Sequence, residues 1–410
     1  MHPLLVVILL IVIGESLVTA VLRYLNHSWR DKPIPANLAD IYDKDRYATQ
    51  QEYEKVNYKF SIASQSTNLL VVVVVLVSGF LGLLDSVADN LFSHPIFTAL
   101  FFFAVLSFGK DIINLPFSIY HTFVIEERFS FNRTTPKTFI LDVLKGWVLK
   151  ILIGGTLLAI VAYLYGVAPN LFWVYAWAVI SVVSIFFSMF YTSIIVPIFN
   201  KLEPLPAGAL REAIEALARK TDFNLAHIYV MDASKRSTKA NAFFSGLGFK
   251  KSIVLYDTLV KEFTVEETVA VLGHEIGHYK KKHTLQHTVA SVLETGISLF
   301  LMSLVLGHPA FADALGVNDS SFHIGLLVFT LMYAPITFVL ETGMNIWSRH
   351  HEHEADIFAR QYYAVEPMVA ALKKLARQTL SNLTPHPLYV FFTYSHPPMK
   401  ERLEHISRSH

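Results

Sequence analysis

Residues 264–278 have the sequence TVEETVAVLGHEIGH, which combines a helix start with two histidines four residues apart. Thr264 and Glu267 have the spacing of a capping box, which predicts that a helix begins here. Residues i and i+4 lie on one helix face, so the imidazoles of His274 and His278 can reach the same metal ion. The pattern therefore predicts a zinc site on this helix, with one zinc ion per chain.

Glu275 directly follows the first of these histidines and provides the predicted site with a base. A carboxylate beside a zinc-bound water can take a proton as that water attacks a carbonyl carbon. The residues thus predict hydrolysis of peptide bonds by zinc-activated water. Glu275 would act as the base and then as the acid toward the leaving amine.

A catalytic zinc needs a third protein ligand, and the C-terminal part of the chain offers several. Glu352 and Asp356 are four residues apart and therefore share a helix face. Glu352 could complete the ligand set, while Asp356 could fix the tautomer of a ligand histidine through its outer nitrogen. Spacing alone does not separate Glu352 from its rivals, which are Glu354, His350, His351 and His353.

The composition indicates that lipid surrounds part of the chain. Of 410 residues, 53% are hydrophobic and only 16% are charged, whereas soluble domains carry about 25% charged residues. The formal net charge of +1 gives no case for nucleic acid as a partner. Cysteine is absent, which excludes disulfides and leaves histidine, aspartate and glutamate as metal ligands.

Several stretches are long and apolar enough to cross a bilayer as helices, which takes about 20 residues each. There are seven, at roughly 3–22, 66–84, 94–112, 146–166, 171–196, 288–307 and 322–343. The predicted fold class is an α-helical membrane protein with seven transmembrane helices and a cytosol-side α+β zinc metalloprotease lobe. We divide it into an N-terminal membrane region with five spans, residues 1–196, and a zinc metalloprotease region, residues 197–410, with the other two.

The polar segment between the fifth and sixth spans has mixed secondary-structure signals. It predicts a helix at 207–220, a strand at 226–232 and a hairpin near 240–256. The turn of that hairpin is predicted at Ser245-Gly-Leu-Gly248.

Lysine and arginine predict the orientation, because short cytosolic loops carry the excess of both residues. The loops after spans two, four and six, near 85–93, 167–170 and 308–321, contain neither. We therefore expect the N-terminus outside or in the lumen, and the zinc lobe and the C-terminus in the cytosol.

Four further stretches are similar to motifs of a single family, the type I CAAX prenyl proteases. The sequence SRHHEHEAD at 348–356 resembles the second zinc motif of that family, Ser-Arg-x-x-Glu-x-x-Ala-Asp. The sequence NAFFSG at 241–246 resembles its strand for the substrate backbone. YSHP at 394–397 and ERL at 401–403 resemble its C-terminal motif. The loop after the third span also matches, through LPF at 115–117, FVIEE at 123–127 and FNRTT at 131–135.

The chain is identified on these motifs as a member of that family, of the gluzincin HExxH type. The resemblance aligns Glu352 with the zinc ligand, Asp356 with the acid behind a ligand, and His396 with the side chain that steadies the transition state. It implies substrate contacts from Asn241, Ala242 and Arg402. It also implies that the helices enclose a water-filled chamber, with the active site facing inward.

The same resemblance implies the partners and the compartment. The substrate would be a peptide or protein, for which the resemblance points to prenylated C-terminal CAAX peptides while the sequence leaves prenylation open, and the lipid membrane would be the other partner. A length of 410 residues is typical of bacterial members. The bacterial inner membrane is therefore expected rather than the endoplasmic reticulum.

Three rival interpretations use the same residues. An intramembrane-cleaving protease would bury the zinc helix in a span, but the capping box and the lysines at 280–282 indicate a site at the membrane surface. A transporter or binding protein with a relic site would not need an intact set of ligands and base. A quality-control protease that degrades membrane proteins without prenyl specificity would have the same residues, and nothing in the sequence separates it.

Overall fold

The computed structural model describes residues 1–225, 227–245, 252–317 and 319–407. Within these ranges the protein is mostly helical, with seven helical segments long and apolar enough to cross a membrane. They are Pro3–Ser28, Lys44–Val77, Pro95–Glu126, Pro136–Val167, Phe172–Ile194, His283–Val305 and Phe322–Tyr362. The predicted fold class, seven membrane helices joined to an α+β lobe, is confirmed.

The N-terminal half consists of helices. They are α1 (Pro3–Ser28), α2 (Lys44–Val77), α3 (Phe80–Leu91), α4 (Pro95–Tyr120), α5 (Pro136–Leu149), α6 (Thr156–Val167), α7 (Phe172–Ile194) and α8 (Val196–Phe199). A π-helical segment, His121–Glu126, extends α4, and another, Lys150–Gly155, joins α5 to α6. Each of these π-helical segments keeps its span continuous.

The C-terminal half mixes strands with helices. In order, these are β1 (Leu202–Pro204), α9 (Ala209–Lys220), β2 (His227–Met231), β3 (Ala242–Ser245), β4 (Ser252–Tyr256), α10 (Asp257–Glu262), α11 (Val265–Lys280), α12 (His283–Val305), α13 (Pro309–Leu315), α14 (Phe322–Tyr362), α15 (Val365–Thr379), α16 (Pro387–Thr393) and α17 (Met399–Ser407).

The second span differs from the stretch at 66–84 that hydropathy indicates. Helix α2 begins at Lys44 and ends at Val77, and α3 starts after Gly79. The φ angle of Gly79 is 76°, in the left-handed region that glycine adopts without steric cost. The apolar stretch therefore continues across a helix break, which composition does not reveal. The polar first half of α2 extends beyond the apolar part of the span.

The seventh span is longer than its apolar stretch at 322–343. Helix α14 continues without interruption from Phe322 to Tyr362. Its last turns therefore leave the apolar region and carry residues 348–356 into the lobe.

The sheet has the strand order β1-β2-β4-β3. Strands β2 and β4 are parallel, while β1 and β3 pair antiparallel with their neighbours. The predicted strand at 226–232 is β2, and β3 and β4 form the two arms of the predicted hairpin. Residues 246–248 of its predicted turn lie outside the described residues. Strand β3 is left at an edge of the sheet, next to α11.

Helix α11 is held between the sheet and neighbouring helices. Both halves of the predicted capping box are present: Thr264 Oγ1 accepts from the Glu267 backbone at 3.2 Å, and Glu267 Oε2 accepts from the Thr264 backbone at 2.9 Å. Leu272 and Ile276 are fully buried in the core that includes Leu255 of β4. Burial of each such side chain contributes about 1.5–3 kcal/mol. This packing fixes which face of α11 points away from the sheet.

Candidate metal centre

The site is built where α11 crosses α14. A Cβ atom at Gly277 would lie 3.0 Å from both the Cα and the carbonyl oxygen of Ala355, so the two backbones are in near contact. Because the helices approach this closely, side chains on either side of the contact on each helix face one another. Those side chains are His274 and His278 on α11, and Glu352 and Asp356 on α14.

The structure brings His274, His278 and Glu352 together, with one ligand atom of each within 4.8 Å of the others. The two Nε2 atoms are 3.1 Å apart. Glu352 Oε1 lies 3.2 Å from His278 Nε2, and Glu352 Oε2 lies 3.4 Å from His274 Nε2. Two imidazoles and one carboxylate that converge through these atoms are a donor set suited to a catalytic zinc ion.

The surroundings of Glu352 also fit a metal ion. Its carboxylate is 3% exposed. Among the residues that the structure describes, none gives the buried Oε2 atom a well-directed hydrogen bond. A buried acceptor without such a bond costs free energy, and a cation between the two imidazoles and this carboxylate would satisfy it.

Asp356 and Arg402 support the other side of His274. Asp356 Oδ1 lies 2.7 Å from His274 Nδ1. The Arg402 guanidinium donates to both oxygens of Asp356, at 2.6 and 3.0 Å. Burial lowers the pKa of His274, but Asp356 and Glu352 outweigh burial and raise this pKa to about 9 in the metal-free protein. A metal ion that binds His274 must therefore displace a proton from it.

Arg402 makes close contacts behind the centre. Its side chain is 12% exposed, and its guanidinium donates to both oxygens of Asp356. Arg402 thus lies behind the candidate ligand His274 and supports Asp356 there, while the substrate contact expected for it stays a prediction.

His396 lies at the open side of the centre. Its Nδ1 atom is 3.0 Å from Glu352 Oε2, and its side chain is 65% exposed. Arg349 holds the preceding residues, because its guanidinium donates to the carbonyls of Val390, at 3.1 Å, and of Tyr394. Carbonyls at the end of α16 thus receive hydrogen bonds from Arg349.

Glu275 is half-buried and, with His278, lines a cavity of about 500 Å³. The other walls come from α7, α12 and Phe244 of β3. Hydroxyl groups are frequent in these walls, from Ser184, Ser188, Thr284, Thr288 and Ser291. Glu275 therefore opens onto a cavity between membrane helices whose walls carry several hydroxyl groups.

Asn241 and Ala242 lie at the edge strand beside α11. Ala242 pairs with Leu255 in the hairpin and is buried, whereas Asn241 is exposed. The Asn241 side chain accepts a hydrogen bond from the Ala242 backbone at 2.9 Å. Since β4 occupies one side of β3, the other side is the free edge onto which an extended peptide can add.

The rival ligands have other neighbours. His353 Nε2 lies 2.9 Å from Glu401, and His350 is exposed. The ring of His351 stacks on that of His283, with centroids 3.9 Å apart. Glu354 contacts His283 at 2.9 Å, so it is Glu352 that faces the histidine pair.

Two residues at the site had no role in the sequence analysis. Arg349 was noticed only as part of the SRHHEHEAD stretch. His283 follows His278 by five residues, which is not a helical repeat, and reaches it only because the helix breaks at Lys282 (φ 62°). The weak signal for His283 was a third histidine close after the zinc motif.

Two family models together match nearly the whole chain. The model described as CAAX prenyl protease N-terminal, five membrane helices, matches residues 23–201. The model of peptidase family M48 matches residues 204–410.

Known proteins are similar over the same extent. CAAX prenyl protease 1 homologues from Oryza sativa subsp. japonica and Homo sapiens are 33% and 30% identical. The alignments cover 90% of this chain in both cases, and 89% and 88% of those proteins. CAAX prenyl protease 1 of Saccharomyces cerevisiae is 32% identical over 90% of this chain and 87% of its own. The crystal structure of S. mikatae Ste24p is similar over 100% of both chains, with a TM-score of 0.94 and 32% identity.

Proposed function

Because this chain belongs to peptidase family M48 and is a membrane metalloprotease that acts on peptides or proteins, we propose that it is a zinc enzyme that cleaves prenylated C-terminal CAAX peptides. His274, His278 and Glu352 are the proposed zinc ligands, and Asp356 is the proposed support of His274. The buried Oε2 atom of Glu352, which receives no well-directed hydrogen bond from the residues that the structure describes, favours a cation at this point.

One observation carries the choice of a lipid-modified substrate. The proposed ligands lie where membrane helices end: His278 is on the helix just before α12, and Glu352 is in the last turns of α14. A prenylated peptide is held at the bilayer by its lipid chain. Its last residues can therefore reach a site at the bilayer surface without crossing open solvent. The relatives named above, which are CAAX prenyl proteases by name, support this substrate class.

The chain's own residues suit hydrolysis of a peptide bond. Zinc, when bound, supplies Lewis-acid chemistry that polarises a carbonyl and acidifies a water molecule. Glu275 holds the attacking water, takes its proton, and returns a proton to the leaving nitrogen as the C–N bond breaks. His396 donates a hydrogen bond to the oxygen that becomes negatively charged. Asn241 and Ala242 hold the substrate as an added strand on the edge of β3.

We also infer the surroundings of this reaction. The cavity of about 500 Å³ beside Glu275, with hydroxyl groups in its walls, supports a water-filled chamber between the helices. The distribution of lysine and arginine supports a cytosolic lobe and C-terminus. The bacterial inner membrane stays the proposed compartment, as the resemblance implied. Cell fractionation of the tagged protein with membrane markers tests it.

The substrate proposal is tested with two peptides of one CAAX sequence, one farnesylated at its cysteine and one unmodified. We expect purified protein in liposomes to cleave the farnesylated peptide with a kcat/KM at least about tenfold higher. That preference should narrow when the unmodified peptide is tethered to the membrane by a remote acyl chain, because the proposed advantage of the lipid is that it holds the peptide at the bilayer. Equal cleavage of all three peptides would favour a quality-control protease and overturn the prenyl specificity.

A further inference from the structure

His278 has a partner on the side that faces away from the metal centre. Its Nδ1 atom lies 3.0 Å from Nδ1 of His283. Nε2 of His283 lies in turn 2.9 Å from Oε2 of Glu354. His283 is almost completely buried, at 1% exposure, whereas the Glu354 side chain is 35% exposed. The three side chains form a chain of contacts from the metal centre to the protein surface.

The positions of the protons on His278 and His283 follow from the two ends of this series of contacts, which are the metal centre and the Glu354 carboxylate. A His278 that binds metal through Nε2 is neutral and carries its proton on Nδ1, which therefore donates. His283 must accept at its own Nδ1 and so holds its proton on Nε2. That proton points at Glu354, which as a carboxylate only accepts. In this series of contacts, each ring nitrogen therefore either binds the metal, donates a hydrogen bond or accepts one, and no two donors face each other.

The local backbone explains how His283 reaches this place. Helix α11 ends near Lys281, and Lys282 adopts left-handed dihedrals, with φ 62°. This turn starts α12 and folds its first residue back toward α11. The ring of His351, on α14, stacks on the ring of His283 at an interplanar angle of 11°. The turn at Lys282 and the stacked ring of His351 together hold the His283 side chain in one orientation.

We propose that His283 and Glu354 are positioning residues for the metal ligand His278, which they orient and hold in one tautomer. They would serve His278 as Asp356 and Arg402 serve His274. The inference rests on the proposed function, since it takes His278 as a zinc ligand. It also gives Glu354, one of the rivals of Glu352 in the sequence, a separate task.

A second metal ion is the competing interpretation, because His283, His351 and Glu354 also have ligand atoms within 4.8 Å. The stacked rings argue against it. Lone pairs of ring nitrogens lie in the ring plane, so two nearly parallel rings whose centroids are 3.9 Å apart keep them in separate, nearly parallel planes and do not direct them toward one point. A hydrogen-bonded chain needs no such convergence.

The test compares Glu354→Ala and Glu354→Gln with the wild type. Glu215→Ala, which removes an exposed carboxylate of α9, is the matched control. The zinc dissociation constant is measured by competition with a chromophoric chelator, and zinc per chain by elemental analysis. Thermal unfolding of the metal-free proteins shows whether a variant is simply misfolded. Because Glu354 is partly exposed, its variants are expected to fold.

We expect Glu354→Ala to weaken zinc binding about 10–100-fold, as loss of such outer partners does. Glu354→Gln should lie between Ala and the wild type, because an amide oxygen still accepts from His283 but carries no charge. Glu215→Ala should match the wild type, and the unfolding temperature of every metal-free variant should be unchanged.

Three results would overturn the inference. One is an unchanged zinc dissociation constant in Glu354→Ala. Another is two zinc ions per wild-type chain with one lost in this variant, which would establish the second metal. The third is a lower unfolding temperature of the metal-free variant that accounts for the weaker binding. A wild type without any zinc would instead refute the proposed function itself.

Discussion

Gly277 of α11 and Ala355 of α14 are so close that there is no room for a methyl group between them. A Cβ atom at Gly277 would lie 3.0 Å from two backbone atoms of Ala355 and 3.1 Å from the Cβ of Phe358. Such contacts are tighter than nine in ten of those that real Cβ atoms make, so the neighbouring atoms would have to move by a few tenths of an ångström. The separation of the two helices, and with it the distance between the histidines and Glu352, therefore depends on this glycine.

We expect Gly277→Ala to push the helices apart and to weaken zinc binding by tenfold or more, with a matching loss of activity. Overpacking of this kind costs about 1–3 kcal/mol. Gly273, one turn earlier, provides the control, since a Cβ there would meet Ala359 at an ordinary 3.7 Å. Gly273→Ala should keep zinc and activity. Equal behaviour of the two variants would show that the close crossing does not set the geometry of the site.

Glu275→Gln should keep zinc and lose turnover. The amide has nearly the same shape as the carboxylate but cannot take a proton, so kcat should fall about a hundredfold to ten-thousandfold. Zinc per chain and kcat are measured on the same preparation. Glu266→Gln, at an exposed position of the same helix, should leave both unchanged. A variant of Glu275 with ordinary kcat would remove this residue from the mechanism.

Removal of the metal should abolish activity reversibly, and Glu352→Ala should have a similar effect because it removes a proposed metal ligand. A chelator is expected to abolish peptide cleavage, and added zinc to restore it. Glu352→Ala removes the buried carboxylate between the histidines and should weaken zinc binding strongly. Glu366→Ala, at an exposed position of α15, should not. Full zinc content in Glu352→Ala would rule out Glu352 as the third ligand.

His396→Ala and Asn241→Ala should affect different kinetic constants. A donor that acts only in the transition state lowers kcat when it is lost, by about a hundredfold or more for an oxyanion contact. A residue that holds the substrate backbone in the ground state as well should raise KM. Zinc content is measured for both variants. Normal turnover in His396→Ala would return His396 to the role of a turn residue.

Cysteine labelling tests the orientation, because the natural chain has no cysteine. Asn90, at the end of α3, and Asp319, after α13, are both exposed and lie in loops free of lysine and arginine. Asn90→Cys and Asp319→Cys should react with an impermeant maleimide added outside intact cells. Glu366→Cys should react only after the membrane is opened. The reverse pattern would invert the topology.

The residues predicted best are those whose signal is local. The zinc helix, its capping box and the seven spans follow from periodicity, spacing and length, which act over short stretches. Asp356 lies next to Nδ1 of His274, which is the nitrogen that faces away from the candidate metal centre. The break at Gly79 was missed, since hydropathy measures how apolar a stretch is and not whether its helix is continuous.

Contacts between distant segments could not be predicted from spacing. Glu352 and Glu354 have the same side chain and lie in the same stretch of sequence. Only the crossing of α11 and α14 gives them different neighbours. The burial of Arg402 against Asp356 likewise depends on where α17 docks. The helix break at Lys282 gives His283 a partner that no helical repeat indicates.

Arg349 and Glu352 lie three residues apart on α14. The Arg349 guanidinium donates hydrogen bonds to backbone carbonyls of the segment that precedes His396. The proposed third ligand and the proposed oxyanion donor therefore both depend on α14, Glu352 directly and His396 through the carbonyls that Arg349 holds. Glu275 and the two histidines lie on α11. Any change in how the two helices cross at Gly277 would therefore alter the distances between these two groups of residues together.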